Sequence, residues 1–351
     1  ALSAPSAMLP RRDTYTLIAS NAVGATSAQL AVHWTPQLHS IPLADTPLNI
    51  AISPDGRRAY VCCSRSLTVL DIQTLQPVGP PVPLSMGWGS VTVSPDATRL
   101  YIAGVTNSTY SVTALDARTL VQGPTVTLGG SPMFPVNCAV SPDGTRVFVP
   151  LAAPGVAVVD TRTLAVAWLD VAELPSWVSI SPDGRFAFIS KFASNTVAVV
   201  DAVTLGIVSR SVPIGAPPPP GFNFGSIFNS VVSPDGTRAY ILRSADATVW
   251  PIDVATLQPG APSPALGPAR DPMFGFGLAV TPDGLQLLAS TANGLCVLQA
   301  NPLGLTVTIP TGDSRPAGIA VSPDGSVALV ALQSPNAIGV LRFVSGGVRP
   351  S

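Results

Sequence analysis

One phrase is written seven times along this chain: AISPDGRRAY from Ala51, TVSPDATRLY from Thr92, AVSPDGTRVF from Ala139, SISPDGRFAF from Ser179, VVSPDGTRAY from Val231, AVTPDGLQLL from Ala279 and AVSPDGSVAL from Ala320. Its Ser or Thr falls at 53, 94, 141, 181, 233, 281 and 322, so successive copies lie 41, 47, 40, 52, 48 and 41 residues apart. A period of about 40 to 50 residues is that of a four-stranded propeller blade. Within the phrase, Pro presets φ, Asp accepts backbone hydrogen bonds and Gly takes the left-handed conformation that closes a tight turn. Ala97 replaces that Gly once, which predicts a strained turn or a different turn type in blade 2.

The residues just ahead of each phrase alternate large and small, as in Ile50-Ala51-Ile52 and Val91-Thr92-Val93. Such a strand is buried on both faces, with its small residues where blades crowd near an axis. A second signature, D-x-x-T-L, ends the third strand at Asp71, Asp116, Asp160, Asp201 and Asp253; blade 6 keeps only Gln299, Asn301 and Leu303, and blade 7 has none. Blade 7 also lacks a fourth strand after Ala337 to Phe343. The passage from Pro36 matches the one that leads into blade 2, so Gln37 to Leu43 is expected to close the ring and leave no open edge. The fold class is therefore all-β: a seven-bladed β-propeller of four-stranded blades over residues 36–351, closed by an N-terminal strand that completes blade 7.

P-D-G-x-R-x-[YF]-[VI] followed by V-x-x-D resembles the YVTN-type, lactonase-like propeller repeats of bacterial and archaeal surface proteins, over about residues 37 to 344. Asp13 to Trp34 resembles the last two strands of a bacterial immunoglobulin-like domain, with an unrelated hairpin as the other reading; residues 1–35 are set apart as this hairpin plus linker. These resemblances imply a secreted, periplasmic or cell-surface bacterial location. The start at Ala1, without Met or a leader, reads either as a removed leader or as a piece of something longer; a monomeric propeller within a longer chain is expected. Lactonases and cofactor-bearing dehydrogenases share this architecture, so the fold alone does not choose a function.

The chain carries 18 basic and 19 acidic residues, only 11% charge in all, which favours neither nucleic acid nor an anionic membrane surface. No apolar run approaches the roughly 20 residues of a transmembrane helix. Cys62, Cys63, Cys138 and Cys296 have no metal-ligand spacing and read as small buried hydrophobes, with a vicinal disulfide between Cys62 and Cys63 as the alternative. With two histidines, His33 and His39, a Ser-His-Asp site, a multi-His metal centre and a bound cofactor find no support.

Twelve of the 18 Asp residues belong to the two turn signatures. Both turns fall on one face of the disc, so the longer loops open on the other. That face is the expected ligand or partner surface, for a protein, glycan or small molecule, with Arg65, Trp88, Phe134, Trp177, Lys191, Phe224, Arg243, Arg270 and Arg315 as candidate contacts. Exposed aromatic patches and Arg are typical of binding surfaces. Phe192 belongs to the same group of loop aromatics. The leading expectation is a non-enzymatic binding propeller; the alternative is a propeller lactonase-type hydrolase working at the axial mouth, for which Glu173, the only Glu, is the available acid.

Overall fold

The computed structural model describes residues 12–21, 24–33, 38–130, 137–152, 155–192, 194–215, 227–244, 246–268 and 277–343. Among them there is no helix. Seven antiparallel sheets follow one another as blades, each running outward from the strand before the repeated phrase. Blade 1 holds Pro47–Ile52, Arg58–Cys63, Ser66–Asp71 and Val82–Pro83; blade 4 holds Pro175–Ile180, Phe186–Lys191, Thr196–Asp201 and Ile207–Pro213. Successive innermost strands touch all the way round, blade 7 meeting blade 1. Arg12–Asn21 and Gly24–His33 form a two-stranded sheet of their own, with Asn21 opposite Gly24.

Closure occurs where the sequence places it. Strand His39–Pro42 pairs antiparallel with Ala337–Arg342, Ile41 opposite Ile338, and the Leu43 N–H donates to the Asn336 carbonyl at 2.9 Å. Gln37, the expected first residue of this strand, lies outside the described residues.

All seven phrases fold identically, Ala97 included. The Ser or Thr hydroxyl donates to the Asp Oδ1 at 2.5–2.6 Å. The same hydroxyl accepts the N–H five residues on at 2.9–3.0 Å. The Asp Oδ1 accepts the N–H two residues on at 3.0–3.1 Å. Each Ser or Thr is buried while each Asp is exposed. The hydroxyl thus takes the inner backbone donor while the carboxylate it holds takes the exposed one, a charge-assisted pair of bonds on either side of one small side chain.

Neighbouring turns also touch. A Cβ added at Gly144 would stand 3.5–3.8 Å from a proline ring of the preceding blade, as would one at Gly56, Gly184, Gly236, Gly284 or Gly325; the pairs run Gly56 to Pro323, Gly144 to Pro95 and on round the disc. Six of the seven turns are thus set against the turn before them, and the seven make a collar at one mouth of the axis.

Between blades lie seven separate hydrophobic clusters, one per interface. Small residues ahead of the phrase face the following blade, as Ala51 does in the cluster with Val91 and Val93, and the large ones face the preceding blade, as Ile50 does with Ala317. Polar links cross the same interfaces. The Tyr60 hydroxyl donates to Ala117 O at 3.1 Å and that of Tyr240 to Ala300 O at 3.3 Å. Where Phe148 lacks the hydroxyl, Arg146 Nη1 donates to the equivalent Ala202 O at 2.6 Å.

In the D-x-x-T-L turns the Asp Oδ1 accepts the N–H of Thr three residues on at 2.7–2.8 Å. The following Leu75, Leu120, Leu164, Leu205 and Leu257 all take positive φ, 57° to 63°. A left-handed Leu costs about 1–2 kcal/mol. The offset is burial: Leu75, Leu120, Leu205 and Leu257 pack against the inter-blade clusters.

Ala97 has φ 57° and makes the same Ala97 N–H to Ser94 O bond, 2.9 Å, that Gly makes elsewhere. Ala97→Gly is expected to stabilise the fold by about 0.5–1 kcal/mol, read from the denaturant midpoint; an unchanged or lower midpoint would contradict the strain. Removal of residues 1 to 34 is expected to leave melting and solubility intact, whereas removal through residue 44 uncovers the Ala337–Val340 edge and causes aggregation. Light scattering on the two truncations checks this, and a soluble, unaltered longer truncation would overturn the closure.

Candidate functional site

The long-loop face opposite the collar is where the sequence places its candidate contacts, and the structure divides them. Phe134, Phe224 and Arg270 lie outside the described residues, and of Trp88 only the backbone, in strand Gly87–Val93, is described. Arg65 and Arg315 are exposed and Trp177 is half-buried. Trp177 occupies the position four before the Ser of the phrase, Ser181. In blades 1 and 3 that position holds Asn49 and Asn137, whose Oδ1 atoms accept the Val91 and Val178 N–H groups of the next blade at 3.1 and 2.9 Å.

Lys191, Phe192 and Arg243 are corrections to the sequence reading. Phe192 is fully buried, 1% exposed, and its N–H donates to Leu174 O at 2.9 Å. Lys191 is 2% exposed, and its Nζ stands 3.2 Å from Glu173 Oε2. It ends the second strand of blade 4, pointing an ammonium inward, so the chain's only Lys pairs with its only Glu. Arg243 holds the equivalent place in blade 5. Its side chain is 13% exposed; Nη2 lies 3.4 Å from Asp246 Oδ2 and Nη1 donates to Ile214 O at 3.1 Å. A Cβ at Gly215 would collide with that guanidinium, so the glycine is what lets the Arg lie across the backbone. Both cations are internal braces of their loops rather than exposed anchors.

Two acids on this face are structural too. Asp45 accepts the Thr46 and Arg65 N–H groups and the Ser64 and Ser66 hydroxyls, all at 2.8–2.9 Å. Burial opposes its ionisation, but the Arg65 N–H and the two hydroxyls outweigh it and hold the carboxyl below its usual range. Glu173 does the same work in blade 4. The Ser194 hydroxyl, with Lys191 and Thr196, draws its pKa down against burial. The shared pattern is acid-x-Pro, Asp45-Thr46-Pro47 and Glu173-Leu174-Pro175, a signal that sequence reading missed. Around Glu173 the backbone is strained: Ala172, Glu173 and Leu174 have φ of 57°, 58° and 51°, a conformation that costs non-Gly residues about 1–3 kcal/mol each unless the surroundings impose it.

All four cysteines are buried and free, without the alternative disulfide. Burial pushes the Cys63 thiol up to about 11 and that of Cys138 to about 12, so neither is a thiolate at neutral pH. Among the described residues no cluster of His, Cys, Asp or Glu has the makings of a metal site. Among the described residues, a gap between blades 2 and 3 holds about 10 Å³ and is lined by Tyr101, Val112, Val147 and other mostly apolar side chains; it is a packing gap, too small for a substrate.

No protein-family profile matches this chain, and no curated protein matches it in sequence. Solved structures match the fold. A chain titled Kuenenia stuttgartiensis hydrazine synthase aligns with a TM-score of 0.67 at 20% identity, covering 86% of this chain and 97% of that one. The Cps50 (Swd1) β-propeller domain of Myceliophteria thermophila aligns with a TM-score of 0.67 at 13% identity, over 87% and 99%. At such identities the likeness reaches the propeller fold and goes no further.

The Lys191 and Glu173 pair yields an asymmetric expectation. Glu173, half in water, tolerates the loss of its partner, whereas Lys191 does not. Glu173→Gln should cost about 1–3 kcal/mol and Lys191→Met about 1 kcal/mol or less, measured by chemical denaturation at neutral pH. Because Glu173 is lowered in the fold, the cost of Glu173→Gln is present above the unfolded carboxyl pKa and fades as pH falls through the folded one. Equal costs, or the reverse order, would show that the pair is not the brace.

Proposed function

We propose that this chain is a non-enzymatic binding propeller that takes a protein, glycan or small-molecule partner on its long-loop face. The single observation that carries the reading is the division between the two faces. On the collar face each phrase Asp is committed to its own turn by hydrogen bonds repeated in seven blades. The opposite face presents Arg65 on a connection and Arg315 and Trp177 on innermost strands, and its connections differ from blade to blade. Propellers commonly serve as interaction scaffolds, and a propeller domain is among the fold matches. Glu173, the acid on which the hydrolase alternative relies, is already engaged by Lys191, Ser194 and Thr196.

The repeat resemblance supports an extracytoplasmic, bacterial surface setting, and the Arg12–Asn21 and Gly24–His33 hairpin supports the immunoglobulin-like reading of residues 1–35.

The test is capture from a surface-protein and glycan extract of the source organism by the immobilised chain. Trp177→Ala combined with Arg65→Ala and Arg315→Ala should reduce capture at least tenfold with melting unchanged, while Arg57→Ala and Arg118→Ala on the collar face should leave it intact. Capture lost from the collar variants and kept by the others would overturn the assignment. Lactone hydrolysis abolished by Glu173→Gln would replace it with the hydrolase.

A further inference from the structure

The outermost strand of every blade carries one row of backbone N–H and C=O groups that nothing within its blade can take. This chain blunts those rows, mostly with proline. In blade 1 the Leu84 N–H bonds inward to Arg65 O, and alternation turns Pro83 and Pro81 outward. In blade 4 the Ile214 N–H bonds to Asn195 O and turns Pro213 outward; in blade 7 the Leu43 N–H bonds to Asn336 O and turns Pro42 outward. A proline there removes an outward donor at no cost to the sheet. Blade 5 has three strands, and residues 258–268 cover the third: Gly260, Ser263 and Leu266 donate to Pro251, Val249 and Ala247. Three residues thus span two, with Pro262 and Pro264 between the donors and Pro259 just ahead of the first. Blades 2 and 6 interrupt their outer register with bulges, a second protective device.

Blade 3 has neither device. Its outer strand, Val166–Leu169, pairs with Val156–Asp160 without a register shift. The Asp160 N–H donates to Ala165 O at 2.9 Å, so Val166 and Trp168 turn their N–H and C=O groups outward. Both keep their N–H, Trp168 is 42% exposed, and no charge lies between Arg162 and Asp170.

We infer that this edge is a self-association site, where the outer strands of blade 3 from two chains pair antiparallel about a twofold axis through Ala167. That register sets Val166 of each chain opposite Trp168 of the other and uses all four outward groups of each strand. It places an aromatic on a β-branched side chain twice, a favourable cross-strand pair. Arg162 and Asp170, exposed at opposite ends of the strand, then approach their opposite charges on the second copy, which a parallel pairing would not achieve. An isologous contact of this kind closes on itself and stops at two. The strand is short, so the dimer is weak, and it revises the expectation of a strictly monomeric propeller.

Sedimentation velocity on the full chain from micromolar to near-millimolar concentration tests this. The weight-average mass should climb from one chain toward two. Trp168→Lys, which charges the edge, and Val166→Pro, which removes an outward donor, should each hold the mass at one chain throughout, with an unchanged melting temperature. Leu305→Lys on the outer strand of blade 6 should leave the dimer intact. A single-chain mass at every concentration overturns the proposal, as does a dimer that survives Trp168→Lys or is lost with Leu305→Lys. Should Val166→Pro fail to fold, Trp168→Lys decides.

Discussion

The buried hydroxyl of the repeated Ser or Thr is the point on which this architecture turns. It donates to an Asp carboxylate at 2.5–2.6 Å and accepts an N–H at 2.9–3.0 Å, so one small side chain fixes both sides of the turn between the two innermost strands. The turn then places Pro of one blade against Gly of the next. A ring closes only if its steps sum to one full turn, and seven copies of one rigid turn favour steps of one kind. Inter-blade clusters of apolar side chains stabilise each step without depending on steps further round, as in other repeat folds.

That constraint separates the two faces. Residues on the collar side are held by hydrogen bonds to their own turns, and variation there would break the ring. The opposite side needs only to return the chain from an outer strand to the next inner one, and its connections are free to differ. Proline shows the same economy at the rim, where it seals outward rows in blades 1, 4, 5 and 7. Of the chain's 38 Pro in 351 residues, edge protection accounts for some, as the phrase turns account for seven others.

Blade number, blade boundaries and the closing strand were legible because they rest on local turn chemistry that repeats in register. Ala97 was legible for the same reason: six sister positions carry Gly, and its φ of 57° follows. The side-chain destinations of the long-loop face were not. Lys191 and Arg243 look like exposed anchors in sequence because each follows a strand and enters a loop. Their burial depends on Glu173, 18 residues earlier, and on Asp246 and Gly215, which no local pattern links to them. Phe192 is buried, and the left-handed turn at Ala172 to Leu174 sets the Leu174 carbonyl against its N–H. The role of the phrase hydroxyl escaped notice because Ser reads as an ordinary turn residue until its burial is known.

The central claim, that the hydroxyl and carboxylate of the phrase act as one structural unit, is tested most directly by a double-mutant cycle on Ser233→Ala and Asp235→Asn. Ser233 is 5% exposed and its Oγ lies 2.5 Å from Asp235 Oδ1; that bond comes first among the causes holding the Asp235 carboxyl below its ordinary range. The coupling energy should be on the order of 1–3 kcal/mol at neutral pH. With a lowered folded pKa it should persist above the unfolded carboxylate value and vanish as pH falls through the folded one. A coupling near zero at neutral pH, or one that grows as Asp235 is protonated, would contradict it.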